Sequence, residues 1–419
     1  MSAVSALHDD DDDSQMTDRL LVASLFAASL IVLCCGSQFC TGGVQKACNR
    51  ALNAIAVTLS LASLFGTGLV VVPLMLLFLP LYYSPWHGAW YAIADSLWAH
   101  MHGIAVLFTE VAGFGGMRPL FYGDEPVAGE SVLLIANHLS ELDFVIMLSL
   151  AARMGALGGI RFICKASLAK LPVLGWGLRL HHTIFIRSRP QGRTDGSSAE
   201  ALADASARAR DVATDMANIR DTVASLTRKR SACTPPLWIG LYPEGTRLTP
   251  EQHKRALAFA AEEQRQPFKY LLQPREKGLR TVLDGGRPHV THALDLTVAY
   301  EGLSAECEKN VRPAGIFDAI TRDQPVHVLV RRLPLPREGE DVVAWLQAVW
   351  SEKERALARW ENDGRYEETS LDLPFLVRPL LGAYLASAAV AALAASAAVL
   401  GMIEVYHMVA GGGSGMHAS

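Results

Sequence analysis

"SVLLIANHLSELDFVIM" runs from Ser131 to Met147. It begins as an apolar, partly β-branched run and ends apolar again, at helical spacing. Between the two halves lie Asn137, His138, Ser140, Glu141 and Asp143. Such a run closed by polar turn residues reads as a buried strand, and the run after it as a helix. A histidine and two acids inside such a unit need a reason. One reason is structural. Ser140 three residues before Asp143 is a capping-box pattern, and Asp143 then only neutralises the positive helix end. The spacing itself is not distinctive, because His8 and Asp13 share it in an acidic tail. The other reason is placement. The strand delivers His138 to its carboxyl end, where open α/β sheets place their ligands. Asp143 falls in the first helical turn, and helical side chains lean toward the N-terminus. Its carboxylate then reaches back to accept the Nδ1–H of His138 and leaves Nε2 as a base. No Gly-x-Ser-x-Gly elbow accompanies the pair, which suits it to deprotonating a substrate hydroxyl.

The same layout recurs outward from this unit. "LWIGLYPEGTRLT", Leu237 to Thr249, is an apolar strand followed by a polar loop. Pro243, Glu244 and Gly245 are turn chemistry, and Gly245 lets a ligand approach the backbone. Arg247 offers a planar fork of donors suited to phosphate. Thr246 adds a hydroxyl, and Glu244 is placed to hold the arginine. Taken alone, the loop is equally a surface turn with an ordinary ion pair. In "HHTIFIRSR", Arg187 and Arg189 follow a strand over Thr183 to Ile186. "CKASLAKLPVLGWGLR" carries Lys165 and Lys170 around Pro172, Gly175 and Trp176. That stretch suits a lipid headgroup, or basic side chains snorkelling at an interface.

Further strand-like runs lie at Ile160 to Cys164, Ala293 to Ala299 and Val326 to Val330, with helical stretches between several of them. The alternation argues for an α/β domain. Ser197 to Arg230 is one long helix whose stripe of Val212, Met216, Ile219, Val223 and Leu226 is expected to face the core. Val342 to Trp360 is a second amphipathic helix. Trp86 to Phe108, aromatic and rich in histidine, is expected at a membrane interface.

Half of the 419 residues are hydrophobic and the formal charge is −4. That balance does not point to nucleic acid. Seven cysteines are scattered without metal-ligand spacing, so they read as reduced or lipid-buried. A spanning helix needs about 20 apolar residues. Leu20 to Cys35 is near the short limit, Ala51 to Tyr83 exceeds it, and Leu380 to Val409 is uncharged except for Glu404. The expected organisation is an acidic disordered tail over 1–18, membrane helices within 19–85, a catalytic domain over 86–370, a membrane segment within 374–410 and a flexible tail over 411–419.

Asn137-His138-Leu-Ser-Glu-Leu-Asp143-Phe144 and the intact Glu244-Gly245-Thr246-Arg247 resemble the first and third motifs of the 1-acylglycerol-3-phosphate O-acyltransferase family. Lys165-x-Ser167-Leu168 to Gly175-Trp176, "LLQPREKGL" from Leu271 and "ALDLTVAYEG" from Ala293 resemble it too, and favour the eukaryotic branch with lysocardiolipin and lysophosphatidylinositol acyltransferases. The second motif, a Phe followed closely by a basic residue, fits Phe185 with either Arg187 or Arg189. The resemblance implies an α/β acyltransferase-type domain with membrane-embedded helices at both ends, in the endoplasmic reticulum membrane. It implies transfer of an acyl group from acyl-CoA, a co-substrate, to the sn-2 hydroxyl of lysophosphatidic acid, with no bound cofactor and no metal. His138 is then the general base and Asp143 its orienter. Glu244, Gly245, Thr246, Arg247 and one of the second-motif arginines form the phosphate site, with Asn137 and Lys165 as further substrate contacts. The partners are the two substrates and the bilayer. Rival readings are a remodelling acyltransferase for lysophosphatidylinositol or lysocardiolipin, a hydrolase that activates water with the same pair, and a non-catalytic membrane scaffold.

Overall fold

Val132–Ala136 (β2) sits at the middle of the fold, and all five of its residues are buried. Alternate residues of a strand point to opposite faces, so a strand buried throughout needs cover on both. A computed structural model describes residues 63–110, 117–187, 199–230, 232–287, 289–301 and 324–373. Among them, seven strands form one sheet: β1 (Met117–Gly123), β2, β3 (Ile160–Lys165), β4 (Ile184–Ile186), β5 (Trp238–Leu241), β6 (His292–Tyr300) and β7 (Gln324–Pro334). Their spatial order is β1-β7-β6-β2-β5-β3-β4.

The helices are α1 (Ser63–Tyr83), α2 (His87–Glu110), α3 (Asp143–Arg153), α4 (Leu174–Leu180), α5 (Ala199–Lys229), α6 (Pro250–Glu262), α7 (Glu276–Gly286) and α8 (Val342–Asp363). Leu133 and Ile135 of β2 pack with Ile219 and Val223 of α5, Val282 of α7 and Trp350 of α8. Val132, Leu134 and Ala136 pack with Val145, Ile146 and Met147 of α3. The sheet is thus a middle layer between two helical layers.

The strands β6, β2, β5, β3 and β4 all run in one direction. Their carboxyl ends therefore share one edge, which receives the loops after β2, β5 and β4. The expected α/β class holds in a mixed form, because β7 runs antiparallel to β6 and β1 pairs parallel with β7. β1 is absent from the sequence reading. Its "MRPLFYG" contains Pro119, which cannot donate to a ladder and demotes a run as a strand. At the sheet edge that missing donor is tolerated.

Two expectations are corrected here. The first concerns Trp86 to Phe108, expected at an interface. In α2, Trp90, Tyr91 and Trp98 are core residues at 0–1% exposure. The helix is held by Asp95, whose carboxylate meets Arg161 of β3 at 2.5 Å and Arg230, just beyond α5, at 2.7 Å. The second is the α5 stripe. Ile219, Val223 and Leu226 are buried, but Val212 is exposed and Asp211 and Asp215 are buried instead. Both acids engage Arg187: its backbone N–H donates to Asp215 and its guanidinium to Asp211.

Among the described residues, α1 alone is long and apolar enough to cross a membrane, with a mean hydropathy of 2.3. It also packs on the domain. A Cβ at Gly68 would lie 2.6 Å from the Val173 side chain, so glycine permits the close approach. The apolar stretches at 20–35 and 380–409, and both tails, lie outside the described residues.

His102 and His181 stand beside Trp98. Burial pushes both imidazoles down, His102 to about 4 and His181 well below its ordinary value. The unfolded chain takes up these protons below about pH 6.5, while the folded chain refuses them. Stability is therefore expected to fall as pH drops from about 6.5 to about 4. Melting midpoints across this range should decline less steeply in His102→Gln than in the parent chain. Parallel declines would contradict the assignment.

Candidate active site

β2 ends at Ala136, and Asn137 and His138 follow it onto the carboxyl edge. His138 Nδ1 lies 2.9 Å from Asp143 Oδ2, the contact that the sequence spacing calls for. The histidine side chain keeps 22% of its surface exposed while that of Asp143 has 0%. Asp143 Oδ2 also accepts the backbone N–H groups of Leu139 at 2.6 Å and Ser140 at 2.8 Å. The capping and orienting roles are thus one geometry. The carboxylate that ties down the loop entering α3 is the one that faces the imidazole. With Nδ1 turned to a carboxylate, Nε2 is the nitrogen left to meet a substrate.

The loop after β5 is stitched to this unit through the backbone of His138. The His138 N–H donates to Glu244 Oε2 at 3.2 Å, and the His138 carbonyl accepts from Leu248 N–H at 2.8 Å. Tyr242 stacks on the imidazole, with ring centroids 4.3 Å apart. Glu244 therefore does not hold Arg247, as expected from sequence. It is 2% exposed, and burial pushes its carboxyl up to about 8 despite the His138 N–H and the Lys353 ammonium. Lys353 of α8 is equally buried, and burial brings it down to about 8 against the opposing pull of Asp295.

Arg247 meets Glu141 of the first loop at 2.7 Å, in a pair whose side chains are about half exposed. The two loops thus carry Arg247 to the neighbourhood of His138. Gly245 has φ +71°, the left-handed region that favours glycine. The side chain of Arg275, at the start of α7, lies over it. A Cβ on Gly245 would meet Arg275 Cδ and Nη1 at 3.6 Å. Thr246 is partly exposed in the same turn.

Other expected site residues fall differently. Asn137 is no substrate contact: its buried amide donates to the Val298 carbonyl at 3.0 Å and accepts the Val298 N–H at 2.8 Å. It straps the loop to β6. Lys165 is exposed at the carboxyl end of β3. Arg187 follows β4, three strands from β2, about 14 Å at sheet level. Its guanidinium is 3.3 Å from Asp211 of α5. Arg189 lies outside the described residues. Tyr242, Arg275 and Tyr300 stand inside the motif stretches, yet the sequence assigns them no role. Their contacts come from strands and helices distant in sequence, which no local spacing reveals.

Residues 118–285 match the family model described as Acyltransferase. The chain is 29% identical over 269 residues to "Probable 1-acyl-sn-glycerol-3-phosphate acyltransferase 5" of Arabidopsis thaliana, covering 63% of this chain and 62% of that protein. It is 27% identical over 272 residues to "1-acyl-sn-glycerol-3-phosphate acyltransferase epsilon" of Mus musculus, covering 63% and 67%. It is 28% identical over 307 residues to "Lysocardiolipin acyltransferase 1" of Danio rerio, covering 72% and 69%. The matched part thus spans under two thirds of the Arabidopsis protein's length. The stretch that matches the Acyltransferase model contains His138, Asp143 and the Glu244–Arg247 turn, so the likeness covers the residues that form the candidate site.

Proposed function

We propose that the chain moves a fatty acyl group from acyl-CoA to the sn-2 hydroxyl of 1-acyl-glycerol-3-phosphate, giving phosphatidic acid. The observation that carries this reading is the His138–Asp143 pair, 2.9 Å apart, on a sheet edge that also presents Arg247. His138 Nε2 takes the proton of the acceptor hydroxyl as its oxygen attacks the thioester carbonyl. Asp143 holds the ring and offsets the imidazolium charge. Collapse of the tetrahedral intermediate breaks the C–S bond. The leaving thiolate takes the proton back from His138, releasing CoA and the diacyl product. The Gly245–Arg247 turn receives the acceptor phosphate. To do so Arg247 leaves Glu141, an exchange made easy by the pair's exposure to solvent. No resident cofactor enters the scheme.

Substrates of this kind partition into lipid, and the apolar α1 supports membrane attachment. The endoplasmic reticulum membrane is the proposed location. A second reading, acyl-CoA-dependent remodelling of lysocardiolipin or lysophosphatidylinositol, is favoured by the Danio rerio relative, which covers more of this chain than the two glycerol-3-phosphate enzymes do.

The test is a transfer assay on membranes with labelled oleoyl-CoA and a panel of lysophospholipids. Transfer to lysophosphatidic acid above all other acceptors supports the first reading. A preference for lysocardiolipin or lysophosphatidylinositol selects the second, and free fatty acid without acceptor would point to hydrolysis. In the same assay Arg247→Lys is expected to raise the apparent acceptor KM by roughly tenfold, because the bidentate fork is lost. An unchanged KM with a reduced kcat would instead assign Arg247 to the transition state.

A further inference from the structure

The polar support of His138 extends beyond the matched stretch. Tyr300, the last residue of β6, is 2% exposed. Its hydroxyl donates to Asp143 Oδ1 at 2.6 Å. The other oxygen of that carboxylate takes His138 Nδ1 and the N–H groups of Leu139 and Ser140. Both oxygens are therefore anchored, from two elements far apart in sequence. The Ser140 side chain acts on the same hydroxyl, opposing the upward push of Asp143 on its pKa.

We propose that Tyr300 is a positioning residue for the His138 base, acting through Asp143 as the third member of a His–Asp–Tyr series. The proposal rests on His138 being the base. The backbone N–H groups of Leu139 and Ser140 hold Oδ2, but with Oδ1 unheld the carboxylate plane keeps some freedom to rock about the Cβ–Cγ bond. The Tyr300 hydroxyl removes that freedom. It also draws charge from Asp143, since a hydrogen bond to a carboxylate is charge-assisted. Packing alone does not account for the hydroxyl, because a phenyl ring would fill the same volume. Burial and the Asp143 charge both hold the Tyr300 hydroxyl well above its ordinary pKa, so it remains a donor throughout the working range.

Several other groups face the pair. From the β5 loop come Tyr242, stacked on the ring, and Glu244, bonded to the His138 N–H. Ser140 lies on the pair's own loop. Cys164 of β3 acts on Tyr242, and Lys353 of α8 on Glu244. Among the described residues, the Tyr300 hydroxyl is the group that bonds Asp143 Oδ1, the other contacts going to Oδ2.

The test is Tyr300→Phe in the full chain on membranes. Expected is a kcat lowered roughly tenfold, with both substrate KM values within about twofold of the parent. The acid limb of the kcat/KM profile should move up by about half to one pH unit. Its sign follows from charge. Without the tyrosine donor, Asp143 bears more charge, favours the imidazolium and keeps the base protonated to higher pH. Ser140→Ala weakens the same series one step away, and a smaller shift of the same sign is expected. It serves as the readout if Tyr300→Phe does not accumulate folded. Parent-like kcat and an unmoved acid limb in a folded Tyr300→Phe overturn the proposal while leaving His138 as base. Transfer that survives in His138→Ala removes the base, and the role of Tyr300 with it.

Discussion

Replacing His138 with alanine is expected to lower acyl transfer by roughly 10²- to 10⁴-fold, the range that a positioned general base supplies. The loss should fall on kcat. In the proposed scheme the acceptor phosphate goes to the Gly245–Arg247 turn and the acyl chain to lipid and apolar surface, neither of which the imidazole provides. The fold should survive. His138 is partly exposed, and its structural bonds to Glu244 and Leu248 are made by its backbone, which alanine retains. Steady-state kinetics with labelled oleoyl-CoA, beside a melting curve, separate the two effects. Near-parental turnover in a folded His138→Ala chain would end the proposed mechanism, whatever acceptor is used.

The second large effect is on stability. Asp95 has 0% exposure and faces two guanidiniums, Arg161 at 2.5 Å and Arg230 at 2.7 Å. Arg161 is itself 1% exposed, and its Nη1 donates to the carbonyls of Gly158 and Ile160. Asp95→Ala leaves buried positive charge without its counter-charge, and the expected cost is about 3–5 kcal/mol. For a domain of this size that lowers the melting midpoint by roughly 10 °C. The knot joins α2, β3 and the end of α5, so its loss should loosen the layer beneath the sheet rather than the His138 loop. A further substitution tests the cause. Adding Arg161→Met to Asp95→Ala removes one uncompensated charge and should recover part of the loss. A midpoint within about 2 °C of the parent in Asp95→Ala would show that solvent or a neighbouring carboxylate replaces Asp95.

The candidate site was legible in unequal parts. The His138–Asp143 contact needed only a strand, a tight loop and the first turn of a helix. All three lie within a few residues, and local spacing determines where their side chains point. The role of Glu244 was not legible. Its neighbour Arg247 suggested an ion pair, yet the strands β2 and β5 are adjacent, and their register puts Glu244 under the His138 peptide instead. Arg187 and Arg247 look alike as cations after strands. Strand order separates them, because β5 neighbours β2 while β4 is the far edge.

The sequence by itself determined the strand–helix alternation, the placing of polar loops at strand ends and the likeness to glycerolipid acyltransferases. Each of these rests on periodicity or short spacing, which the backbone translates directly into direction. Only the tertiary structure decided the mixed sheet with its β1 edge, the buried Trp90 and Trp98 of α2, the strap from Asn137 to Val298 and the anchoring of Asp143 by Tyr300. These depend on contacts between residues far apart in the chain, 161 positions for Asn137 and Val298 and 205 for Tyr122 of β1 and His327 of β7. Such contacts are set by which strands become neighbours, and strand order follows from the packing of the whole chain around its core, which no local pattern encodes.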